Sequence, residues 1–104
     1  MLPGVTELDT MVRSVIDQLR ELSANEPALA EPLASIIESA VHLHGELAQA
    51  ITSGSEEDQR TAACKLSGMR KGILELSLLD HRRDAAIIAA IDGASDQALE
   101  ICLA

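Results

Sequence analysis

Residues Glu31–Ile51 read EPLASIIESAVHLHGELAQAI, and the spacing inside this stretch decides the fold. Leu33, Ile36, Ile37, Ala40, His44, Leu47, Ala48 and Ile51 recur at the three- and four-residue intervals that line one side of an α-helix. Pro32 is tolerable only in a first helical turn, where its missing N–H has no partner to lose. The helix is therefore predicted to start near Ala30. Downstream, Thr52-Ser53-Gly54-Ser55 punctuates the chain, and a third helix is predicted from Glu56 to Leu79. Ser55 is its N-cap, and Glu56, Glu57 and Asp58 sit at the positive end of its dipole. Its stripe is Ala62, Leu66, Met69, Ile73 and Leu76.

Upstream, Ser23-Ala24-Asn25-Glu26-Pro27 separates the stretch from a first helix over Thr6–Leu22. Thr6 and Asp9 resemble a capping box, and Leu8, Val12, Val15, Ile16 and Leu19 mark one side. A weaker break at Leu79–Arg82 precedes a fourth helix, Arg83–Leu103, with Ile87, Ile88, Ile91, Ala98 and Ile101 inward. No alternating β-branched run and no Asn-Gly hairpin competes. Four helices with short connections imply an all-α, up-and-down antiparallel four-helix bundle forming a single domain over residues 1–104.

Composition narrows the function. The chain has 104 residues, 47% of them hydrophobic and none aromatic. An aliphatic core of modest size is expected. Stacking platforms for single-stranded nucleic acid and aromatic cages for cations are excluded. With 17 acidic against 8 basic residues, the formal charge is −9. Such a surface repels nucleic acid and anionic membrane. No apolar run reaches the roughly 18 residues of a membrane span. The first 20 residues carry five charges and no signal-peptide pattern. A cytoplasmic, reducing setting is expected. Cys64 and Cys102, 38 positions apart with no CxxC, do not make a disulfide framework. Cys102 is expected in the core, and Cys64 as a surface thiol on the third helix.

The polar candidates are few. His42 and His44 point roughly 200° apart on a helix and do not share a metal easily, so no metal and no cofactor is expected. His42 is read as solvated, His44 as a core-boundary residue and His81 as part of a turn. Arg60, Lys65, Arg70 and Lys71 place half of the basic residues on the third helix, a local positive patch in an acidic chain. Gly68 inside that helix costs about 1 kcal/mol relative to Ala. Close approach by a partner, or by a neighbouring helix, accounts for it.

The stretch Ala62-Ala63-Cys64-Lys65-Leu66-Ser67-Gly68 resembles the Ala-His-x-Leu-Lys-Gly pattern of histidine-containing phosphotransfer domains, four-helix bundles of bacterial phosphorelays. Ala63, Leu66 and Gly68 match in register. Pro27-Ala28-Leu29, the long aliphatic helix, Ser53-Gly54-Ser55 and the acidic turn leading to Arg60 follow the order typical of that family. The likeness extends over roughly residues 5–103. It implies that Cys64 stands at the phosphoacceptor position and Ser67 where the family has a lysine. A thiol with a pKa near 8.5 is mostly protonated at neutral pH. The resemblance thus implies a non-catalytic relative, not an enzyme. It would dock a receiver domain or a histidine kinase through Arg60, Lys65, Ser67, Gly68 and Lys71, as a monomer or homodimer. The other reading is a small acidic chaperone or regulatory subunit of a secretion or flagellar system. A contiguous apolar groove or an obligate dimer would mark that alternative.

Overall fold

In the computed structural model, which describes all of residues 1–104, the chain is 81% helical and has no strand. The helices are α1 (Val5–Asn25), α2 (Pro27–Ser53), α3 (Glu56–Leu66), α4 (Met69–Leu74) and α5 (Ala85–Leu103). Four corners pack together: α1 against α2 and α5, and α3 against α2 and α5, while α4 rests on α5. Leu8, Leu19, Leu33, Leu47, Leu66 and Ile91 are fully buried. Each such aliphatic side chain contributes about 1.5–3 kcal/mol by leaving water.

Helix boundaries follow local chemistry that differs in places from expectation. α1 begins one residue before Thr6, capped by Gly4 at φ 83° with no side-chain bond. Thr6 is therefore not the cap. α2 begins at Pro27, not near Ala30, and Pro32 lies inside it. Proline here deletes only the bond to the Ala28 carbonyl, and both residues face solvent. Ser55 caps α3 as expected, its hydroxyl accepting from the Asp58 N–H at 3.2 Å. Gly54, at φ 74°, takes the left-handed conformation that ends α2.

The third predicted helix is not continuous. The Ser67 hydroxyl donates to the Cys64 carbonyl at 2.6 Å. In an unbroken helix that carbonyl would accept the Gly68 N–H, which instead donates to Lys65 O at 3.2 Å. A serine side chain has thus competed the helix into a tighter turn. Helical structure resumes for only the six residues of α4. Leu76, assigned to the inward stripe, lies beyond α4 and is 53% exposed.

Residues Glu75–Asp84 form the connection to α5, built on carboxylates. Asp80 Oδ1 accepts from the Arg82 and Arg83 N–H groups at 2.8 and 2.9 Å. Asp84, only 2% exposed, accepts from the Asp80 N–H at 2.8 Å and from Arg83 at 2.8 and 2.9 Å. The Arg83 hydrogen bond holds Asp84 below the usual carboxylate range, and the backbone bonds from Arg83 and Arg82 do the same for Asp80. Arg83 also reaches Glu26, the single residue between α1 and α2, at 3.7 Å.

Candidate functional site

The break at Ser67–Gly68 opens one wall of the bundle. Ile36, Ala40 and Leu43 of α2 face Met69, Ile73 and Leu76 across a groove of about 360 Å³. Lys65, Gly68 and Gly72 complete its α3–α4 side, and Ser35 and Ser39 its α2 rim. The outer face of α2 continues the surface through Glu38, Val41 and His42. Val41 is 39% exposed. The groove exists because α2 is apolar over a wider arc than its neighbours cover, so Ile36 and Leu43 are only half-buried.

Gly68 and Gly72 are not demanded by packing. A Cβ at Gly68 would meet only the Lys65 carbonyl at 3.6 Å, and one at Gly72 would meet nothing within 4 Å. The neighbouring-helix explanation for Gly68 therefore fails within this chain. The two glycines leave bare backbone along one wall.

The positive patch expected on the third helix is largely neutralised. Lys65 Nζ lies 3.2 Å from Glu46 of α2. Arg70 Nε and Nη2 donate to Asp92 at 2.7 Å and Asp96 at 2.6 Å. The Asp96 bond, ahead of that to Asp92, raises the Arg70 pKa. Lys71 and Arg60 join no ion pair, and Lys71 is exposed. Of the residues singled out by the sequence, Lys65 and Gly68 line the groove, Ser67 makes the break, and Arg60 and Lys71 stand outside it.

The cysteines depart most from expectation. Cys64 and Cys102 form a disulfide, with Cα atoms 4.8 Å apart. Cys64 is thus not a free surface thiol, and Cys102 is half-buried instead of lying in the core. Spacing along the chain hides the pairing; packing of α3 on the end of α5 creates it. The histidines are dispersed. His42 lies 3.5 Å from Glu46, His44 Nε2 lies 2.7 Å from Asp9, and His81 is exposed in the connection. No group of three or more His, Cys, Asp or Glu side chains is arranged to hold a metal ion. No helix is long and apolar enough to cross a membrane.

Several further polar positions carry the architecture. Gln59 is fully buried, donating to Ala50 O at 3.2 Å and accepting from the Leu2 N–H at 3.0 Å. Ser95 accepts the otherwise free N–H of Arg70 in the first turn of α4. In the sequence, Gln59 is visible as a polar residue one turn before Ala62 and Ala63 on the same apolar stripe. Ser95 carries no comparable mark. Comparison of the chain with protein-family models, characterised proteins and solved structures finds no match.

Proposed function

We propose that this chain is a non-catalytic docking module that seats an amphipathic helix of a partner protein in the groove between α2 and α4. The observation that carries the reading is the open groove itself, apolar on both walls and flanked by two glycines that the chain does not need for its own packing. From Ser35 to Leu43 the α2 wall runs nine residues, a rise of about 12 Å or two helical turns. That length suits three apolar anchors on a partner helix at i, i+3 or i+4, and i+7. Charge selects the rest of the occupant. The formal charge is −9, and Lys65 and Arg70 are already taken by internal carboxylates. A helix with basic flanks is favoured over an acidic pocket.

The likeness to phosphotransfer domains supplies the partner class: a two-component signalling protein in the cytoplasm, met through a histidine-kinase dimerisation helix in preference to a receiver domain. The bundle itself is proposed to be up-and-down and antiparallel. One- and two-residue connections after α1 and α2 support this. So does the meeting of Gly4 with Gln97 near one end and of Glu26 with Arg83 near the other. The chaperone or regulatory-subunit reading stands second, favoured by the contiguous apolar groove; there the seated helix belongs to a secretion or flagellar client.

Calorimetric titration against a histidine-kinase dimerisation helix and a receiver domain tests the reading. The helix is expected to bind, and Gly68→Gln, which projects a side chain into the groove, to abolish binding while the monomer stays folded. Lys71→Glu separates the occupants. It speeds association with a basic helix and slows association with an acidic receiver pocket. Binding of the receiver alone, weakened by Lys71→Glu, would overturn the choice of occupant. If neither protein binds but a basic amphipathic client helix does, the second reading replaces the first.

A further inference from the structure

The third corner of the bundle is fastened to α5 twice, once on each side of the Ser67–Gly68 break. Before the break, Cys64 is bonded to Cys102 in the last turn of α5. After it, Arg70 holds Asp92 and Asp96, and Ser95 accepts the Arg70 N–H at 3.1 Å. The two fastenings differ in kind. The ionic one responds to salt. The covalent one responds to thiol chemistry. Cys64 is exposed and Cys102 half-buried, so a dithiol in solution can reach the bridge without unfolding the bundle. Arg60 precedes Cys64 by one turn on the same side of α3. It joins no ion pair, and its Nε is buried without a hydrogen-bond partner. A guanidinium with no carboxylate beside it favours a Cys64 sulfur that leaves as thiolate.

Resting on the docking reading above, we propose that Cys64–Cys102 is a thiol–disulfide exchange site whose state sets the mobility of the groove's α3–α4 wall. Closed, the bridge holds the last turn of α3 against α5, and the break lies fixed between two fastenings. Open, the wall from Ser67 to Leu76 keeps only the Arg70 fastening to α5 and moves more freely. The co-substrate is a dithiol. Its first thiolate attacks Cys64 Sγ, the bond to Cys102 Sγ breaks, and Cys102 leaves as a thiolate that takes up a proton. The second thiol of the reductant then attacks the reductant sulfur of the mixed disulfide. Cys64 leaves as the second thiolate. Two electrons and two protons pass to the cysteines, and the dithiol becomes a cyclic disulfide. A reducing compartment shifts the balance towards the open form, and an oxidising one towards the closed form.

The test equilibrates the purified full chain anaerobically with mixtures of reduced and oxidised dithiothreitol, then follows cysteine alkylation and amide hydrogen exchange by mass spectrometry. Both cysteines are expected to become alkylated without denaturant. Exchange over residues 67–76 should speed about tenfold on reduction, while α1 and α2 keep their protection. The double variant Cys64→Ser/Cys102→Ser should show the fast pattern with no reductant present. If that variant fails to fold, reduced wild type carries the comparison. Arg60→Gln should shift the balance towards the closed form. Alkylation that requires denaturant, or identical exchange over 67–76 in both states, would overturn the proposal. None of these measurements involves a partner. Exchange that behaves as expected in a chain that binds no helix overturns the docking reading alone.

Discussion

Helices α1 and α2 share one hydrophobic period and end in different states of burial. α1, with 21 residues, buries seven side chains in an unbroken stripe from Val5 to Leu22. α2, with 27 residues and more aliphatic side chains, buries four: Leu33, Ala40, Leu47 and Ala50. The difference lies in the neighbours. α1 is flanked by two long helices, α2 and α5. The outer stripe of α2 faces a corner that breaks at Gly68 and ends its helix at Leu74. Periodicity reports which side of a helix is apolar; how much of that side is covered depends on where the next helix stops. The uncovered part of α2 is the groove.

The largest expected effect tests this contrast directly. Leu19→Ala removes a fully buried side chain from the sealed side and should destabilise the protein by about 3–5 kcal/mol. Leu43→Ala removes the same atoms from the groove and should have an effect below about 1 kcal/mol, since its side chain is only half-covered. Denaturant titration of both variants measures the difference. Equal losses would mean that the groove is closed by packing in solution.

The same contrast explains how much was legible in the sequence. The α1 stripe, the Ser55 cap and the helical class were readable because each rests on local spacing. The break in the third helix is not legible, although Ser67 and Gly68, which make it, both stand out in the sequence. Its cause is competition between one hydroxyl and one N–H for the Cys64 carbonyl. Helix propensity alone does not decide that contest. The Cys64–Cys102 bridge was illegible for a different reason, because it depends on how α3 lies against the end of α5. The strength of the positive patch was equally illegible. Glu46, Asp92 and Asp96, which neutralise it, come from other helices.

A second prediction concerns the connection that leaves the α4 wall standing apart. Asp80 and Asp84 are held below the ordinary carboxylate range by bonds that form only on folding. Their contribution is complete above the unfolded carboxylate pKa, about 3.9. It is lost as pH falls through their lower folded values. Melting temperature should therefore hold steady from pH 7 to about 5 and drop below about pH 4. Asp84→Asn should lower stability at pH 7 by about 1.5–3 kcal/mol, as expected for losing charged hydrogen bonds from a buried site. Its melting curve should also fall less steeply in acid than that of wild type. An Asp84→Asn protein with an unchanged acid limb would shift the acid sensitivity to other carboxylates.

The smallest expected effect is the most discriminating for the open side. Gly72→Ala adds a methyl group in the middle of α4, where nothing lies within 4 Å. Alanine restricts the unfolded chain and suits a helix better than glycine. The variant should therefore be more stable than wild type by about 0.4–1 kcal/mol. On the sealed side a similar addition meets resistance: a Cβ at Gly93 of α5 would come within 3.2 Å of the Met11 terminal methyl. Gly93→Ala should consequently gain less, or lose stability. If glycine at position 72 serves only the folded monomer, Gly72→Ala should destabilise it, and the groove loses its claim to a partner. If the bare wall serves an incoming helix, the more stable variant should bind that helix less tightly, because the methyl group stands where the partner backbone would approach. A gain in stability together with a loss of affinity is the outcome that separates a surface shaped for another chain from one merely left uncovered.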